Sequence, residues 1–484
     1  MTASYALGNA DLASILPELA LGGAGVLVLL LDAFVPRLKR LSTPLALAAL
    51  GTAAYLAWTR VPEGSSFGGL LESAPVTVAI GGIVLLSALL SVLASHGYLR
   101  REGIFGGEYH ALLLWCVAGL LFLARATELL SLFLALELLS ICLYSLAGYH
   151  RRLAIATEGA IKYFLMGAFV SAFVLYGIAL VYGETGSTRL PDVRSALQSP
   201  GEVSLLLTLG LLLLVAGFAF KMSLVPFHAW SPDTYQGAPS PFVIFLSVAP
   251  KAASAVVLIR LLEIVSGDAA GHRWPGLVAL LAVLSMVVGN LLALVQQDIK
   301  RMLAYSGVAH MGYLLIPLAS LDATSWEPVV VYLLAYALMN AGAFAVVSML
   351  YSRAGEQHLI SELSGWGYRF PLLGVCLTIC MLSLGGIPPA LGFLGKYLVF
   401  FHAIEHGQLW LAVVGVGTSL LGVFYYLRVV YTLYMQPETS APQGLLIDFW
   451  GRGAALIAAV GSLALGIWPS TLLEWIRRAA APGL

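Results

Sequence analysis

The sequence is dominated by long apolar runs in which ionisable side chains are rare. Fourteen such runs fall at 12–35, 42–60, 75–96, 109–125, 127–148, 157–182, 203–230, 238–265, 276–295, 302–320, 327–352, 371–402, 409–434 and 452–475. A helix needs about 20 mostly apolar residues to cross a bilayer, and continuous rather than alternating runs favour helices over a membrane β-barrel. Only 10% of the 484 residues are charged, whereas roughly 25% is typical of soluble domains. The sequence therefore predicts an all-α integral membrane protein with about 14 transmembrane helices.

The connections between these runs leave no room for a soluble domain, so residues 1–484 are predicted to form a single transmembrane domain. The longest polar connection is 183–202. The first apolar run follows Asp11 and precedes three basic residues, the reverse of the charge order in a cleavable signal peptide, which predicts a retained helix. The net charge of zero argues against a nucleic-acid partner.

The basic residues between the runs are unequally shared by the two sides of the membrane. Twelve follow odd-numbered helices: Arg37, Lys39, Arg40, Arg100, Arg101, Arg151, Arg152, Lys300, Arg301, Arg353, Arg369 and Arg452. Seven fall on the other side: Arg60, Arg125, Arg189, Arg194, Arg273, Arg477 and Arg478. The positive-inside rule then places both termini outside the cytoplasm.

Two of the predicted helices are broken. In the seventh, FAFKMSLVPFHAWSPDTYQGAPSPF, Pro226 interrupts the helix and Pro232 is expected to end it. In the twelfth, LSLGGIPPALGFLGKYLVF, two glycines and two prolines stand together. Broken helices at matching places in two halves are typical of transporters built from inverted repeats. We therefore expect N-terminal helices 1–3 in 1–108, two inverted five-helix repeats in 109–265 and 276–434, and a last helix at 452–475.

Ionisable side chains inside the apolar runs are the candidates for chemistry, because each costs about 3 kcal/mol or more at a helix centre. They are Glu137, Lys162, Lys221, Lys251 and Lys396. Burial favours the neutral form of such a group and an opposite charge favours the charged form, so a lysine whose glutamate partner moves can take up and release a proton. A single lysine of this kind can instead be snorkelling or part of a structural ion pair, and Lys162, nearest a helix end, is the most open to that interpretation.

Two histidines lie close to these lysines in the sequence. His228 in VPFHAW and His310 in GVAHMGY could relay protons, or could be hydrogen-bonded structural residues. The four cysteines lie within apolar runs and are interpreted as packing residues, although Cys376 and Cys380 share a helix face. The sequence holds no nucleotide-binding or hydrolase motif, so neither catalytic, metal-binding nor cofactor-binding residues are predicted.

These residues resemble the antiporter-like membrane subunits of respiratory complex I over nearly the whole chain. The resemblance rests on FKMSLVPFHAWSPDTYQGAPSPFVIFLSVAPKAA, QDIKRMLAYSGVAHMGY and LGGIPPALGFLGKY. The stretches ILPELALGGAGVLVLLLDAF and EGAIKYFLMGAFVSAFVLYGIALVYG, together with a lysine at 396, resemble the N-type members of that family. The family fold has fourteen helices with two inverted five-helix repeats.

The resemblance implies a role for each buried charge. Glu137 and Lys221 would form the glutamate–lysine pair of a first half-channel, with Lys162 beside it; Lys251 would be the central relay. Lys396 would exchange protons with the far side. The family also implies a subunit of a proton-translocating NADH:quinone oxidoreductase that performs no redox chemistry itself. Flavin, iron–sulfur clusters and quinone belong to partner subunits, and the neighbours would be M-type and K-type membrane subunits.

Other functions remain open at this point. An Mrp-type antiporter exchanging Na⁺ or K⁺ for H⁺ would share the broken helices and buried lysines. A hydrogenase or formate-linked complex, or a chloroplast-type relative, would use a similar subunit. A membrane scaffold would not need buried lysines. The expected location is a bacterial plasma (inner) membrane, crossed many times.

Overall fold

The computed structural model describes residues 8–198, 204–265, 273–320, 322–352, 355–356, 359–437 and 448–480. Its α-helices are α1 Asn9–Ser14, α2 Leu16–Phe34, α3 Ser42–Thr59, α4 Pro75–Arg101, α5 Gly107–Arg125, α6 Leu129–Ala147, α7 Ala154–Thr185, α8 Leu190–Leu197, α9 Leu205–Lys221, α10 Trp230–Gly237, α11 Ser240–Val265, α12 Trp274–Leu294, α13 Ile299–Leu318, α14 Trp326–Val347, α15 Trp366–Arg369, α16 Pro371–Gly385, α17 Leu391–Glu405, α18 Leu409–Met435, α19 Phe449–Ile467 and α20 Ser470–Ala480. Short 3₁₀ turns span Pro36–Leu41, Ala323–Ser325 and Ile360–Leu363. Two small hairpins, β1 Gly64–Ser66 with β2 Leu71–Ser73 and β3 Tyr351–Ser352 with β4 Gly355–Glu356, complete the described part.

The described helices form a multi-pass membrane bundle. Eleven of them are long and apolar enough to cross a bilayer, which confirms the predicted all-α membrane fold. The other three predicted segments correspond to α9 with the break that follows it, to α13, and to α16 with α17. The total of fourteen crossings stays a prediction.

Burial orders the bundle from centre to edge. The most hydrophobic stretch of α11 is completely buried, and that of α14 is 94% buried. The corresponding stretches of α2, α3, α7 and α19 are only about one-third buried. Their exposed apolar side chains suit a hydrocarbon environment, whereas α11 and α14 pack on all sides against protein.

Both broken helices end in the same backbone motif. At the end of α9, Leu224 N–H donates to Ala219 over 2.9 Å, and Ser223 N–H donates to Phe220 over 3.0 Å. At the end of α16, Ile387 N–H donates to Leu382 over 3.0 Å, and Gly386 N–H donates to Ser383 over 2.9 Å. Ser223 and Gly386 both have positive φ, 60° and 81°. These are two Schellman motifs, which satisfy carbonyls that the breaks would otherwise leave unpaired.

The start of α6 and the start of α13 are also alike. Glu128 caps α6 by accepting from the N–H of Leu130 and Ser131, and Asp298 caps α13 by accepting from the N–H of Arg301. Each cap forms an antiparallel bridge to a later connection, Glu128 with Arg189 and Asp298 with Leu359. The second helix of each predicted repeat is therefore capped by a carboxylate, and an antiparallel bridge joins that cap to a later connection.

Two helix ends differ from expectation. Pro232 lies in the first turn of α10 rather than at the end of a helix, because a missing N–H costs little where no intrahelical partner exists. The last predicted segment, 452–475, is divided: α19 ends at Ile467, and Pro469 directly precedes the separate helix α20.

Candidate proton-transfer site

Lys221 is the last residue of α9 and is held inside the bundle by α6 and α7. Its side chain is almost fully buried, and Nζ donates to the Ser140 hydroxyl of α6 over 2.8 Å. The ammonium also lies 5.2 Å from the ring centroid of Tyr144 and 5.5 Å from that of Tyr163. Aromatic faces attract a cation that has lost its water. These surroundings can therefore accommodate the lysine in its charged form.

Glu137 lies on α6, one turn before Ser140, so both side chains point to the same side of the helix. Glu137 is half-buried, and its Oε1 is buried with no hydrogen-bond partner among the described residues. No ion pair joins it to Lys221 within the described part of the chain; Lys221 uses Ser140 instead. Glu137 and Ser140 thus share one face of α6, and Lys221 of α9 contacts that face through Ser140 and not through an ion pair with Glu137.

Lys251 occupies the centre of the fully buried helix α11. Only 1% of this residue is exposed, and its Nζ has no hydrogen-bond partner in the described structure. Tyr235 and Tyr336 present their ring faces to it at 5.8 and 5.5 Å. Gly307 provides the space on the third side, because a Cβ there would lie 3.0 Å from Lys251 Nζ.

His310 of α13 lies between two tyrosine hydroxyls. Its Nδ1 is 2.7 Å from the Tyr332 hydroxyl and its Nε2 is 3.1 Å from the Tyr426 hydroxyl. Its ring also packs on Tyr336, the same ring that faces Lys251, at a centroid distance of 5.2 Å. A neutral imidazole donates from one nitrogen and accepts at the other, so this arrangement satisfies both and can pass a proton across the ring.

Lys396 of α17 points back at the break that precedes its own helix. Nζ donates to the carbonyls of Leu384 and Gly385, each over 3.0 Å, and to the Ser419 hydroxyl over 2.8 Å. It also lies 5.3 Å from the ring centroid of Tyr313, whose hydroxyl accepts from Asn290. The carbonyls that the break frees at membrane depth are therefore the partners of this lysine.

Lys162 differs from the other predicted lysines because it lies on the outside of the chain. Its side chain is 44% exposed and forms ion pairs with Glu158 over 2.6 Å and Asp233 over 2.7 Å. Asp233 also pairs with Arg301 over 2.6 Å. The structure thus brings Lys162 to a surface ion-pair network rather than to the buried hydroxyls.

His228 lies in the break between α9 and α10. Its Nδ1 is buried with no hydrogen-bond partner among the described residues, and its ring is 6.4 Å from that of Tyr305 on α13. Within the described part of the chain, no hydrogen bond or ring contact joins it to a lysine. Of the two predicted histidines, the structure connects His310, not His228, to the buried hydroxyl groups.

Sequence reasoning missed the tyrosines that connect these groups. Tyr332 and Tyr336 are four residues apart on α14, and Tyr425 and Tyr426 are adjacent on α18. Tyr425 donates to Asn290 over 3.0 Å, and Asn290 donates to Tyr313 over 3.0 Å. Tyrosines at helical spacing in otherwise apolar runs were the available signal, but tyrosine is common in such runs and the spacing does not show which rings face inward.

The described groups form clusters of polar and aromatic side chains around Lys221, Lys251 and Lys396, and no hydrogen bond among the described residues joins Lys221 to Lys251 or Lys251 to His310. They include lysines, tyrosine hydroxyls, an imidazole, serines and an amide, all of which can donate a proton and most of which can also accept one. The described residues contain no group of three or more His, Cys, Asp or Glu arranged to hold a metal ion. The side chains present are therefore of types that can exchange protons.

Comparison with known proteins identifies the family. Residues 126–422, more than half of the chain, match the family model described as NADH:quinone oxidoreductase/Mrp antiporter, TM. The chain belongs to this family. The matched part begins just before α6 and ends within α18, and so contains every predicted proton-transfer residue. The expected family is confirmed.

Relatives match the chain over nearly its whole length. It is 40% identical over 471 residues to NADH-quinone oxidoreductase subunit N of Trichlorobacter lovleyi, and the match covers 96% of both chains. It is 41% identical over 477 residues to the subunit of the same name in Salinibacter ruber, covering 96% of this chain and 95% of the relative.

Solved structures of this antiporter-like family share the fold. A chain of respiratory complex I from Thermus thermophilus, with bound aureothin, is 35% identical with a TM-score of 0.80, covering 95% of this chain and 99% of that one. A chain of the Mrp complex from Dietzia sp. DQ12-45-1b gives a TM-score of 0.82 at 22% identity, covering 98% and 97%. The second likeness concerns the fold alone.

Proposed function

We propose that this chain is the N subunit of a proton-translocating NADH:quinone oxidoreductase, in which it carries protons while partner subunits carry out the redox reaction. The match to subunit N proteins along nearly the full length of both chains is the observation that supports this most directly. The buried lysines and the hydroxyl groups between them supply the chemistry that such a subunit needs.

The first half of the proposed route runs from Glu137 to Lys221 and on to Lys251. Glu137 has a free carboxylate oxygen on the helix face that carries Ser140, and Ser140 is hydrogen-bonded to Lys221. A glutamate that approaches Lys221 favours the charged lysine, and one that withdraws favours proton release. Lys251, which has no fixed partner in the described structure, is suited to receive that proton.

The second half of the proposed route runs from Lys251 to Lys396 past His310. The ring of Tyr336 contacts both Lys251 and His310, and the two hydroxyls on His310 belong to α14 and α18. Lys396 lies on the far side of that cluster, where it would exchange protons with the outer compartment. In this scheme Lys162 tunes the first half from the surface, and His228 supports water at the break.

The partners are proposed from the same family. M-type and K-type membrane subunits would adjoin the exposed helices, and flavin, iron–sulfur clusters and quinone would reside in other subunits. The energy for proton movement would then reach this chain as a conformational or electrostatic change from its neighbours. The Mrp antiporter is the weaker alternative, because its likeness is limited to the fold at 22% identity.

The broken helices also support the proposed inverted repeats. Within 109–265 and 276–434, the second helix is capped by a carboxylate that bridges to a later connection, and the fourth helix breaks at a Schellman motif. Five helices are an odd number, so the second copy would be inverted relative to the first. The proposed location is a bacterial inner membrane, with both termini on the outer side as the basic residues indicate.

Purification and vesicle assays test the function. A tagged chain extracted in mild detergent should co-purify with NADH:quinone reductase activity and with flavin and iron–sulfur absorbance. In vesicles containing that complex, Lys221→Ala should lower proton uptake per NADH oxidised at least fivefold, whereas Arg152→Ala, at an exposed cation, should leave it unchanged. A chain that arrives without those cofactors and exchanges Na⁺ or K⁺ for H⁺ would instead establish the antiporter.

A further inference from the structure

A basic pocket lies where the first helices meet one face of the membrane, away from the proton-transfer residues. It is lined by Arg37, Lys39, Arg40, Arg100 and Phe105, and its volume is about 890 Å³. The first three residues belong to the 3₁₀ turn that joins α2 to α3, Arg100 lies at the end of α4, and Phe105 precedes α5. The α2–α3 and α4–α5 connections therefore surround one cationic cavity.

The wall of the basic pocket formed by the 3₁₀ turn is held in place by its neighbours. Asp32 accepts from the N–H of Gly107 over 2.9 Å and pairs with Lys39 over 3.7 Å, so it ties the turn to the start of α5. The Ser42 hydroxyl donates to the Lys39 carbonyl over 2.9 Å, which fixes the end of the turn. The position of this wall is therefore set by the contacts of Asp32, Lys39 and Ser42, in which the Arg37 and Arg40 side chains take no part.

The floor of the basic pocket is aromatic. The Arg100 guanidinium lies 5.2 Å from the ring centroid of Phe105. That ring is supported from below by His96 and His110 at 6.0 and 6.1 Å, and the hydroxyl of Thr43 lies between these two histidines. A cation over a supported ring is oriented without being neutralised, so Arg100 keeps its charge available to a ligand.

The charges of the basic pocket are mostly uncompensated. Arg37, Arg40 and Arg100 are exposed, and none of them forms an ion pair with the described residues, whereas Lys39 has Asp32. Guanidinium groups bind phosphate oxygens in pairs and hold them more specifically than an ammonium does. Three such groups around one cavity fit more than one phosphate.

The surroundings of the basic pocket are apolar, as a lipid tail would require. Phe34 at the end of α2 is 78% exposed, and Val35, Leu38 and Leu41 beside the basic residues are exposed as well. A free anion would gain nothing from these side chains, but a lipid would bury its acyl chains against them. Basic clusters at helix ends on the cytoplasmic side attract anionic headgroups.

We propose that the basic pocket binds the headgroup of an anionic phospholipid, and that a headgroup with two phosphodiesters fits it better than one with a single phosphodiester. Arg37, Arg40 and Arg100 would bind the phosphates, and the exposed side chains from Phe34 to Leu41 would contact the acyl chains. This inference concerns the membrane contact of the chain and does not depend on the proposed proton route.

The test uses the intact membrane complex that contains the chain, delipidated in detergent and titrated with defined lipids. Native mass spectrometry would follow binding of diphosphatidylglycerol, phosphatidylglycerol and phosphatidylcholine. Each basic residue near a membrane surface raises the affinity for anionic lipid about fivefold. Arg37→Gln with Arg100→Gln should therefore weaken the tightest diphosphatidylglycerol site about 25-fold. The matched control, Arg151→Gln with Arg152→Gln, removes two exposed cations predicted on the same side and should leave that site unchanged.

A photoactivatable diphosphatidylglycerol should also label peptides that contain residues 34–41 and 98–106, and the double variant at Arg37 and Arg100 should lose this label. Equal weakening of lipid binding by both double variants would overturn the proposal. So would the absence of a preference for diphosphatidylglycerol over phosphatidylcholine. Displacement of the label by millimolar inorganic phosphate would assign the pocket to a free anion instead of a lipid. Protection of the pocket by an acidic segment of another subunit would likewise overturn the lipid assignment.

Discussion

Lys162 donates to one oxygen of the Asp233 carboxylate over 2.7 Å, and Arg301 donates to the other oxygen over 2.6 Å. The three residues belong to α7, α10 and α13, so one carboxylate fastens the short half-helix α10 to long helices on both sides. Arg301 also donates to Gln236 of α10 over 3.0 Å. Since α10 follows the break next to Lys221, this fastening positions the break.

The ion pairs of Asp233 with Lys162 and Arg301 predict that loss of Lys162 and loss of the Asp233 charge affect proton pumping unequally. Exposed ion pairs contribute about 0–1 kcal/mol, and Lys162 is 44% exposed, so Lys162→Ala should keep most of the coupled proton pumping. Asp233→Asn weakens the ion pairs with Lys162 and Arg301 at once, so it should lower both the proton-pumping rate and the thermal midpoint of the complex. The two variants would be compared in vesicles at equal NADH oxidation. A loss in Lys162→Ala as deep as that in Lys221→Ala would place Lys162 in the proton route itself.

Gly386 should tolerate no side chain, for two separate reasons. Its φ of 81° is in the left-handed region, which costs an L-residue roughly 1–2 kcal/mol, and a Cβ there would lie 2.8 Å from Lys396 Cδ. Gly407 has a φ of 73° with nothing within 4 Å of a Cβ, so Gly407→Ala carries the backbone cost alone. Both variants should lower the thermal midpoint, and only Gly386→Ala should also reduce proton pumping. Equal pumping by the two variants would refute the role given to the Gly386–Lys396 contact.

Gly307 should be needed for the free space around Lys251. A Cβ at this position would lie 3.0 Å from Lys251 Nζ and 2.7 Å from the Tyr336 hydroxyl, so Gly307→Ala should slow proton pumping severalfold. Gly417→Ala, on α18 with nothing within 4 Å, is the matched control and should be neutral or stabilising by up to about 1 kcal/mol. Pumping per NADH oxidised would be measured for both, and a normal value in Gly307→Ala would contradict the prediction.

The two hydroxyls on His310 should each be required. Tyr332→Phe or Tyr426→Phe leaves one buried imidazole nitrogen without its partner, which costs about 1–3 kcal/mol. Each variant should lower the proton-pumping rate about tenfold or more while the complex still assembles. Tyr55→Phe removes an exposed hydroxyl from α3 and serves as the control. Full pumping in both buried variants would show that protons bypass His310.

A pH-dependent ion pair links the connection after α13 to the end of α17. His406 Nε2 lies 2.7 Å from Asp322 Oδ2. Burial alone would lower the pKa of His406, but hydrogen bonds to the His402 carbonyl and to Asp322 outweigh it, so the pKa is raised. The pKa of Asp322 is lowered, chiefly by the hydrogen bond from Thr324 and further by the one from His406.

The sign of the pH effect follows from these two directions. A raised histidine pKa contributes stability that is complete below the unfolded value of about 6.5 and is lost as the pH rises through the folded value. A lowered aspartate pKa contributes stability above about 3.9 that is lost as the pH falls through the folded value. His406→Gln should therefore lower the thermal midpoint most between about pH 5 and 6.5, and the difference from wild type should shrink by pH 9. A difference that is independent of pH would mean that the pair is not charged.

Much of the fold followed from the sequence because lipid restricts the choice of backbone structure. The runs around Pro226 and around Gly386 to Pro389 predicted both breaks, since neither can continue an ideal helix. The prediction that Pro232 ends a helix was wrong. Proline interrupts a helix interior but fits a first turn, and sequence alone does not tell these two positions apart.

The site was less predictable because the position of a charged residue in an apolar run does not show which residues it contacts. Lys221, Lys251 and Lys396 were found from their positions in apolar runs, and the structure buries all three. The same reasoning could not place Lys162 on the outside, because its partner Asp233 is 71 residues away. It also could not select Tyr332 and Tyr426, whose inward direction depends on how α14 and α18 pack around α13.

Because His310 lies between two hydroxyls, each proton transfer on the proposed route would leave the cluster in a different hydrogen-bonding arrangement. A proton that enters at one ring nitrogen and leaves from the other exchanges the two tautomers, and every hydroxyl in line reverses its direction. The next proton in the same direction then finds donors where it needs acceptors. On the proposed proton route, the hydroxyls and the imidazole would have to turn back before a second transfer, so the cluster would pass protons one at a time.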